Sequence, residues 1–151
     1  MEVRYIKKEE WNTCMNLCWR TFLAFEADEY SPDGVKNFFD FITSTIVEEM
    51  FVAGSYIAIA AFEGEKVVGF IGCRNGNHIS LLFVDKDYHH LGIATKLMEA
   101  MVSHVKGDKY TSLTVYSSPY AVGFYHKMGF IDLDKAQQKD GIIYTPMILE
   151  I

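Results

Sequence analysis

The feature that most constrains this chain is a long amphipathic helix preceded by a turn without a capping side chain. From Thr95 onward, apolar residues recur at spacings of three and four, which predicts a helix with one buried face. No Ser, Thr, Asn or Asp occupies the usual capping position before it. Gly92 and Ala94 instead leave the first backbone N–H groups accessible, and the helix dipole favours an anion there. The sequence therefore predicts an anion site at the start of this helix.

Composition and charge favour one folded domain. The chain has 151 residues, of which 50% are hydrophobic and 23% are charged. It contains no repeat, low-complexity tract or linker, so we expect a single domain over residues 1–151. The net charge of −6 argues against nucleic acid as the main partner, because phosphate binding needs a basic face.

The cysteines predict a reducing environment and no metal site. Cys14 and Cys18 lie one turn apart on a predicted helical face, and neither they nor Cys73 has further soft ligands nearby. We therefore expect them to pack as small hydrophobes. The first residues lack a signal-peptide pattern, and no apolar run is long enough to span a membrane. The expected location is the cytoplasm, with no membrane partner.

The remaining periodicities predict a mixed α/β order. A first strand precedes a helix over about residues 9–25, and Ser31-Pro32 predicts the start of a second helix that runs through Ile46. Residues 56–85 contain three β-rich runs separated by the turns EGEK and NGN, which predict an antiparallel meander. The third run is almost wholly apolar, as expected of a central strand. A strand–helix–strand crossover, a short helix and a final hairpin complete the expected fold.

Two segments resemble the GNAT superfamily of N-acetyltransferases. Residues 89–94, HHLGIA, are similar to the acyl-CoA turn Q/R-x-x-G-x-G/A that follows the family's fourth strand. Residues 117–130, SSPYAVGFYHKMGF, resemble the family's fifth-strand-to-helix segment, which ends in FY-x-x-x-GF. The element order is similar over essentially the whole chain. The resemblance implies an α/β (α+β) single-domain GNAT-like fold, with a mixed central sheet of about six to seven strands and about four helices.

The resemblance also implies acetyl-CoA as the acyl donor and a place for its pyrophosphate. Backbone N–H groups of one turn would hold the diphosphate: His89, His90, Leu91, Gly92, Ile93, Ala94 and Thr95. Two residues depart from the family pattern, since members usually have Gln or Arg in place of His89 and commonly Gly in place of His90. A histidine can donate to phosphate, most strongly when protonated.

The thioester and pantetheine arm would lie along the end of the apolar strand. The resemblance implies backbone contacts with Leu82, Phe83 and Val84, at a point where this strand separates from its parallel neighbour. Such a separation is often produced by a β-bulge. Ser118 occupies a position at which many members have an Asn that contacts the coenzyme.

Acetyl transfer requires an amine that loses a proton, an oxyanion that is stabilised and a thiolate that is protonated. Tyr125 matches the family's general-acid tyrosine, four residues before Gly129, although it could serve only as core packing. His78 falls where some members have a glutamate base, and its ordinary pKa suits a proton acceptor. The alternatives are a solvated turn histidine and a chain of ordered water molecules.

The acceptor is expected at the connection between the first two helices. Acidic and aromatic residues there would attract and pack against a cationic amine: Glu26, Asp28, Glu29 and Tyr30. The alternative is an acidic loop that is merely solvated. The expected protein is an acetyl-CoA-dependent N-acetyltransferase of small cationic amines or protein amino groups, metal-free, and a monomer or homodimer.

Two other functions compete with this one. A non-catalytic acyl-CoA-binding module is compatible with the departures at His89, His90 and Ser118. A mononucleotide-binding protein is disfavoured, because no G-x-G-x-x-G follows the first strand and no phosphate-loop lysine pattern is present.

Overall fold

The computed structural model describes residues 1–151 as a mixed sheet with helices on both faces. The strands are β1 (Glu2–Tyr5), β2 (Ile57–Glu63), β3 (Lys66–Arg74), β4 (His78–Val84), β5 (Ser112–Ser117), β6 (Ile131–Asp132), β7 (Gln137–Lys139) and β8 (Ile142–Glu150). The helices are α1 (Trp11–Phe25), α2 (Pro32–Ile42), α3 (Thr45–Val52), α4 (Ile93–Gly107) and α5 (Val122–Lys127). The sheet order is β1-β2-β3-β4-β5-β8-β6, with β7 paired to β8. The predicted mixed α/β fold is confirmed, and two very short strands bring the sheet to eight.

The sheet separates two hydrophobic clusters. One contains 16 buried residues and lies under α1 and α2, and the other contains 16 and lies under α4 and α5. Alternation along β2 divides its residues between them: Ala58 and Ala60 face the first cluster, whereas Ile59 and Ala61 face the second. Burial on both faces explains why the central strands are almost continuously apolar. None of the helices has the length and apolar character needed to cross a membrane.

The helices on the first face mostly follow the sequence pattern. Cys14 and Cys18 are fully buried on α1, as predicted. Ser31 caps α2, because its hydroxyl accepts a hydrogen bond from the amide of Gly34 at 3.2 Å. The predicted extension of this helix to Ile46 is wrong. The chain leaves α2 after Ile42, and the hydroxyl of Ser44 caps a separate helix, α3.

The turn between β3 and β4 has the predicted chemistry. Asn75 and Gly76 both adopt positive φ, of 53° and 85°, in the turn between β3 and β4. These angles fit the two central residues of a type I′ turn, for which Asn-Gly is the favoured pair, within a connection of three residues. β2, β3 and β4 consequently form an antiparallel meander that ends in the central strand.

The crossover from β4 through α4 to β5 contains the only parallel strand pair of the sheet. The buried face of α4 consists of Leu97, Met98, Met101 and Val105, each fully inaccessible to solvent. These positions have the three- and four-residue spacing that the sequence predicts. The crossover places the N-terminus of α4 at the end of β4.

Candidate active site

A β-bulge and a strand separation open the centre of the sheet. Gly72 of β3 faces Leu81 and Cys73 faces Ile79, so Ser80 is an extra residue on β4. The hydroxyls of Ser80 and Tyr56 share a hydrogen bond of 2.7 Å. β4 pairs with β5 at only two positions, His78 and Ile79, and the strands diverge beyond them. The expected bulge and separation are therefore both present.

A cavity of about 750 Å³ lies where these strands diverge. It brings together seven residues that the sequence predicts for the site: Glu26, Tyr30, His78, Leu82, Phe83, Ser118 and Tyr125. Residues of β4 and α5, and of the segments that follow α1 and β5, thus meet around one space large enough for a small ligand.

Tyr125 is buried against aromatic neighbours but keeps an available hydroxyl. Its ring lies 5.5 Å from that of Phe124 and 5.1 Å from that of Phe130, and only 4% of the residue is exposed. The hydroxyl makes no hydrogen bond with the protein and is not enclosed. Burial and the nearby Glu26 carboxyl raise the pKa of the phenol above its ordinary value. Tyr125 therefore stays protonated at neutral pH and can donate a proton.

Glu26 is a titrating carboxyl on the cavity wall. It follows the last residue of α1, and burial raises the pKa of its carboxyl to about 7. The nearby hydroxyl of Ser118 favours the ionised form and partly opposes this rise, whereas the charge of Glu29 adds to it. A carboxyl with this pKa is partly ionised at neutral pH and can accept a proton there.

His78 lines the same cavity in a different state. Its Nδ1 lies 2.8 Å from the hydroxyl of Thr114, and its ring packs 4.6 Å from that of Tyr116. Burial, and then the positive charge of Arg74, lower the pKa of the imidazole to about 4. At neutral pH the ring is uncharged, and it is a weaker proton acceptor than the Glu26 carboxylate.

The connection between α1 and α2 contributes less charge than its sequence indicates. Glu26 and Tyr30 line the cavity, but Asp28 and Glu29 do not. Asp28 is exposed to solvent, and the Tyr30 ring packs edge-on against Phe22 at 4.8 Å. Of the three acidic residues expected at the acceptor site, only Glu26 therefore lines the cavity.

The turn between β7 and β8 closes one side of the cavity by contacting this connection. The amide of Ser31 donates to the carbonyl of Gly141 at 3.1 Å, and the side-chain amide of Asn37 donates to the carbonyl of Asp140 at 3.3 Å. A Cβ added to Gly34 would lie 2.4 Å from the Gly141 carbonyl oxygen. The close approach therefore requires a glycine at this position.

The N-terminus of α4 has the accessible amides that the sequence predicts. Gly92 precedes the helix with φ 77° and no side-chain cap, and the amides of Ile93, Ala94 and Thr95 have no acceptor in the protein. A Cβ at Gly92 would meet nothing within 4 Å, so the space beside this residue is open. His90 also adopts a positive φ, of 64°, in a position where Gly is common in the GNAT family. These features fit a diphosphate held by backbone groups.

The side chain of His89 is directed toward the strand end. Its Nε2 donates to the carbonyl of Val84 at 2.8 Å, and its ring stacks on Phe25 at 4.6 Å. This contact connects the turn to the end of β4 and to α1. Because the Nε2 of His89 is already hydrogen-bonded, an anion at this turn would be bound by the backbone of residues 89–95.

Arg74 is a site residue that the sequence patterns do not predict. This last residue of β3 lines the cavity, and its side chain forms neither a hydrogen bond nor an ion pair with the protein. The available signal was a charged residue at the end of an otherwise apolar strand, directly before the Asn-Gly turn. No group of three or more His, Cys, Asp or Glu side chains is arranged to hold a metal ion.

The separated parallel strands, the bulge and the open helix N-terminus define an acetyltransferase of the GNAT type. Residues 26–151 match the family described as "Acetyltransferase (GNAT) domain", and the chain therefore belongs to the GNAT N-acetyltransferase family of enzymes.

Individual relatives agree with this assignment. The peptidyl-lysine N-acetyltransferase YjaB of Salmonella typhimurium is 30% identical over 103 residues, which are 66% of this chain and 69% of the relative. A GCN5-related N-acetyltransferase from Rhodopseudomonas palustris has the same fold, with a TM-score of 0.84, 20% identity, and coverage of 99% of this chain and 95% of that one. The PaiA N-acetyltransferase from Thermoplasma acidophilum, solved with coenzyme A, has a TM-score of 0.78, 19% identity, and coverage of 99% and 98%.

Proposed function

We propose that this enzyme transfers the acetyl group of acetyl-CoA directly to a primary amine, with Glu26 as proton acceptor and Tyr125 as proton donor. The observation that carries the proposal is that both side chains line one cavity, at the point where β4 and β5 diverge. The names of the YjaB relatives, which act on peptidyl-lysine, support an amine acceptor.

The donor would bind along the route that the exposed backbone provides. The amides at the N-terminus of α4, including those of His90 and Leu91 in the preceding turn, would hold the pyrophosphate. The edge of β4 that β5 leaves unpaired, at Leu82, Phe83 and Val84, would hydrogen-bond the pantetheine arm through backbone groups other than the Val84 carbonyl, which accepts from His89. Ser118, the residue after β5, would also contact the donor. Bound acetyl-CoA supplies the thioester carbonyl as the electrophile.

The chain's own residues then move two protons. The Glu26 carboxylate takes a proton from the substrate ammonium, directly or through water, and the neutral nitrogen can then attack the carbonyl. When the tetrahedral intermediate collapses, the carbon–sulfur bond breaks and Tyr125 donates its proton to the departing thiolate. The nitrogen, positively charged after its attack, gives its second proton to the Tyr125 phenolate, directly or through water, and Glu26 releases its proton to solvent. Burial disfavours a free thiolate as it disfavours the phenolate, so the departing sulfur has to take a proton as the bond breaks, and the Tyr125 hydroxyl is placed to supply it.

His78 remains the second candidate for the proton acceptor. It lines the cavity and holds a neutral ring at pH 7, so its Nε2 can take a proton transiently. The lowered pKa makes it the weaker base of the two. A role in orienting the acceptor also fits its position beside Tyr116.

The test is the release of free thiol from acetyl-CoA with a mixed panel of primary amines and lysine peptides, together with mass spectrometry of the acceptors. We expect amine-dependent thiol release and acceptors heavier by one acetyl group. Acetyl-CoA binding without release on any acceptor of the panel would contradict the proposal and favour the acyl-CoA-binding module.

A further inference from the structure

Arg74 stands apart from the other arginines because it has no partner. The chain contains three arginines. Arg4 pairs with Glu10 at 2.9 Å, and Arg20 pairs with Asp85 at 3.2 Å. No carboxylate lies within 4.0 Å of the Arg74 guanidinium, and its Nε is buried without a hydrogen-bond partner. A buried donor of this kind is costly unless a ligand or water satisfies it.

Arg74 belongs to the cavity by its position in the sheet. It is the cross-strand partner of His78, at the end of β3 and the start of β4. Leu82, where the thioester would lie, is four residues further along β4. The rise of about 3.3 Å per strand residue places the two β4 positions roughly 13 Å apart. The unpaired cation therefore lies toward the end of the cavity away from the donor.

The wall beside Arg74 suits a short organic chain that carries an anion. The rings of His78 and Tyr116 lie 4.6 Å apart, and those of Tyr116 and Tyr144 lie 4.9 Å apart. Aromatic faces of this kind can cover methylene groups. A single planar guanidinium matches one carboxylate through two parallel hydrogen bonds. Besides Arg74, the cavity is lined by one other basic side chain of the lysine or arginine type. This is Lys139, which is exposed at the edge of the cavity.

We propose that Arg74 binds a carboxylate of the acceptor, so that the substrate is an amine with a free carboxylate several bonds from the reacting nitrogen. Amino acids with a side-chain amine and ω-amino acids have this chemistry. The inference rests on the proposed amine acetylation and refines its acceptor. It replaces the sequence-based expectation of a small cationic amine or protein amino group with a zwitterionic acceptor.

The test compares acids with their amides, which differ only in the group that Arg74 would bind. Isothermal titration in the presence of coenzyme A would measure γ-aminobutyrate, ε-aminocaproate and Nα-acetyl-lysine against the corresponding amides. We expect at least one acid to bind about tenfold or more tightly than its amide, as charge-assisted pairing predicts. The preference should disappear in Arg74→Gln and persist in part in Arg74→Lys.

Lys106→Gln supplies a matched control, since it removes the same charge from the exposed end of α4. This variant should retain the full preference for the acid. Equal affinities of acid and amide for all three pairs, or no measurable binding of any acid, would overturn the proposal. The comparison of acids with amides on the wild-type protein can overturn the proposal even if Arg74→Gln fails to fold.

Binding and turnover also separate this inference from the function on which it rests. An acid preference that depends on Arg74, without thiol release, would contradict the proposed reaction but retain the carboxylate site. Thiol release that is equally rapid with acids and amides, together with equal binding, would overturn only the carboxylate site.

Discussion

At the scale of single residues, one physical cause prepares two groups for opposite tasks. Burial raises the pKa of both Glu26 and Tyr125. For Glu26 the result is a carboxyl that exchanges its proton near neutrality, and for Tyr125 it is a phenol that does not ionise before the reaction. Pairs of titrating groups whose environments assign them different protonation states are typical of acid–base sites.

The first prediction concerns the pH dependence of kcat/KM. A base must be ionised, so the wild-type value should rise with pH through about 7, where Glu26 loses its proton. Because the carboxylate accepts its proton from the ammonium form of the substrate, the value should fall again at higher pH, where the free substrate loses that proton. In Glu26→Gln the rise near 7 should disappear, and kcat/KM should fall about a hundredfold.

His78→Gln is the matched comparison for that measurement. If Glu26 is the base, this variant keeps the inflection near pH 7 even if its rate is lower. An inflection that persists in Glu26→Gln and disappears in His78→Gln would assign the base to the histidine.

At the scale of elements, local patterns in the sequence predict most of the site, and long-range geometry supplies the rest. The spacing of apolar residues and the uncapped Gly92 predict where α4 begins. The continuous apolar run predicts β4 as a central strand. The bulge at Ser80 is not visible in the sequence, because it depends on the register between β3 and β4. The sequence does not predict the break between α2 and α3, because the residues around Ser44 continue a helical pattern that hides the capping role of this serine.

The second prediction tests the N-terminus of α4. Gly92→Glu places a carboxylate where the diphosphate would bind, and we expect at least a tenfold loss of acetyl-CoA affinity. The left-handed backbone adds a strain of about 1–2 kcal/mol in the free energy of unfolding. Titration calorimetry and thermal unfolding would measure the two effects.

Gly54→Glu is the control, because Gly54 has φ 87° and, like Gly92, would have open space around an added Cβ. It should lose similar stability and keep its affinity for acetyl-CoA. Equal affinities of the two variants for acetyl-CoA would show that the pyrophosphate does not bind at this turn.

At the scale of the whole molecule, the cavity depends on a contact between distant parts of the chain. The start of α2 meets the turn between β7 and β8, where Gly34 and Gly141 approach closely. This contact places Tyr30 and Asn37 on the cavity wall opposite β4. Glycines at positions 34 and 141 give no periodic signal, so the sequence does not predict that they meet.

The third prediction follows from that contact. Gly34→Ala would place a methyl group 2.4 Å from the Gly141 carbonyl oxygen, so the start of α2 must shift. We expect the KM for the amine to rise several-fold while acetyl-CoA affinity changes little, because the donor lies at the opposite end of the cavity. Steady-state kinetics with either substrate varied would separate the two constants.

In Gly107→Ala, where an added Cβ meets nothing within 4 Å, both constants should stay at wild-type values. An unchanged KM for the amine in Gly34→Ala would contradict the role of the contact.

The measurement that tests the central claim most directly is amine-dependent thiol release by wild type, Tyr125→Phe and Tyr110→Phe, with acetyl-CoA affinity measured beside it. We expect Tyr125→Phe to bind acetyl-CoA normally but to release thiol about a hundredfold more slowly, because the leaving thiolate has lost its proton donor. Tyr110→Phe, which removes a hydroxyl outside the cavity, should behave as wild type. Release by Tyr125→Phe at the wild-type rate, or no amine-dependent release by the wild type, would contradict the proposed mechanism.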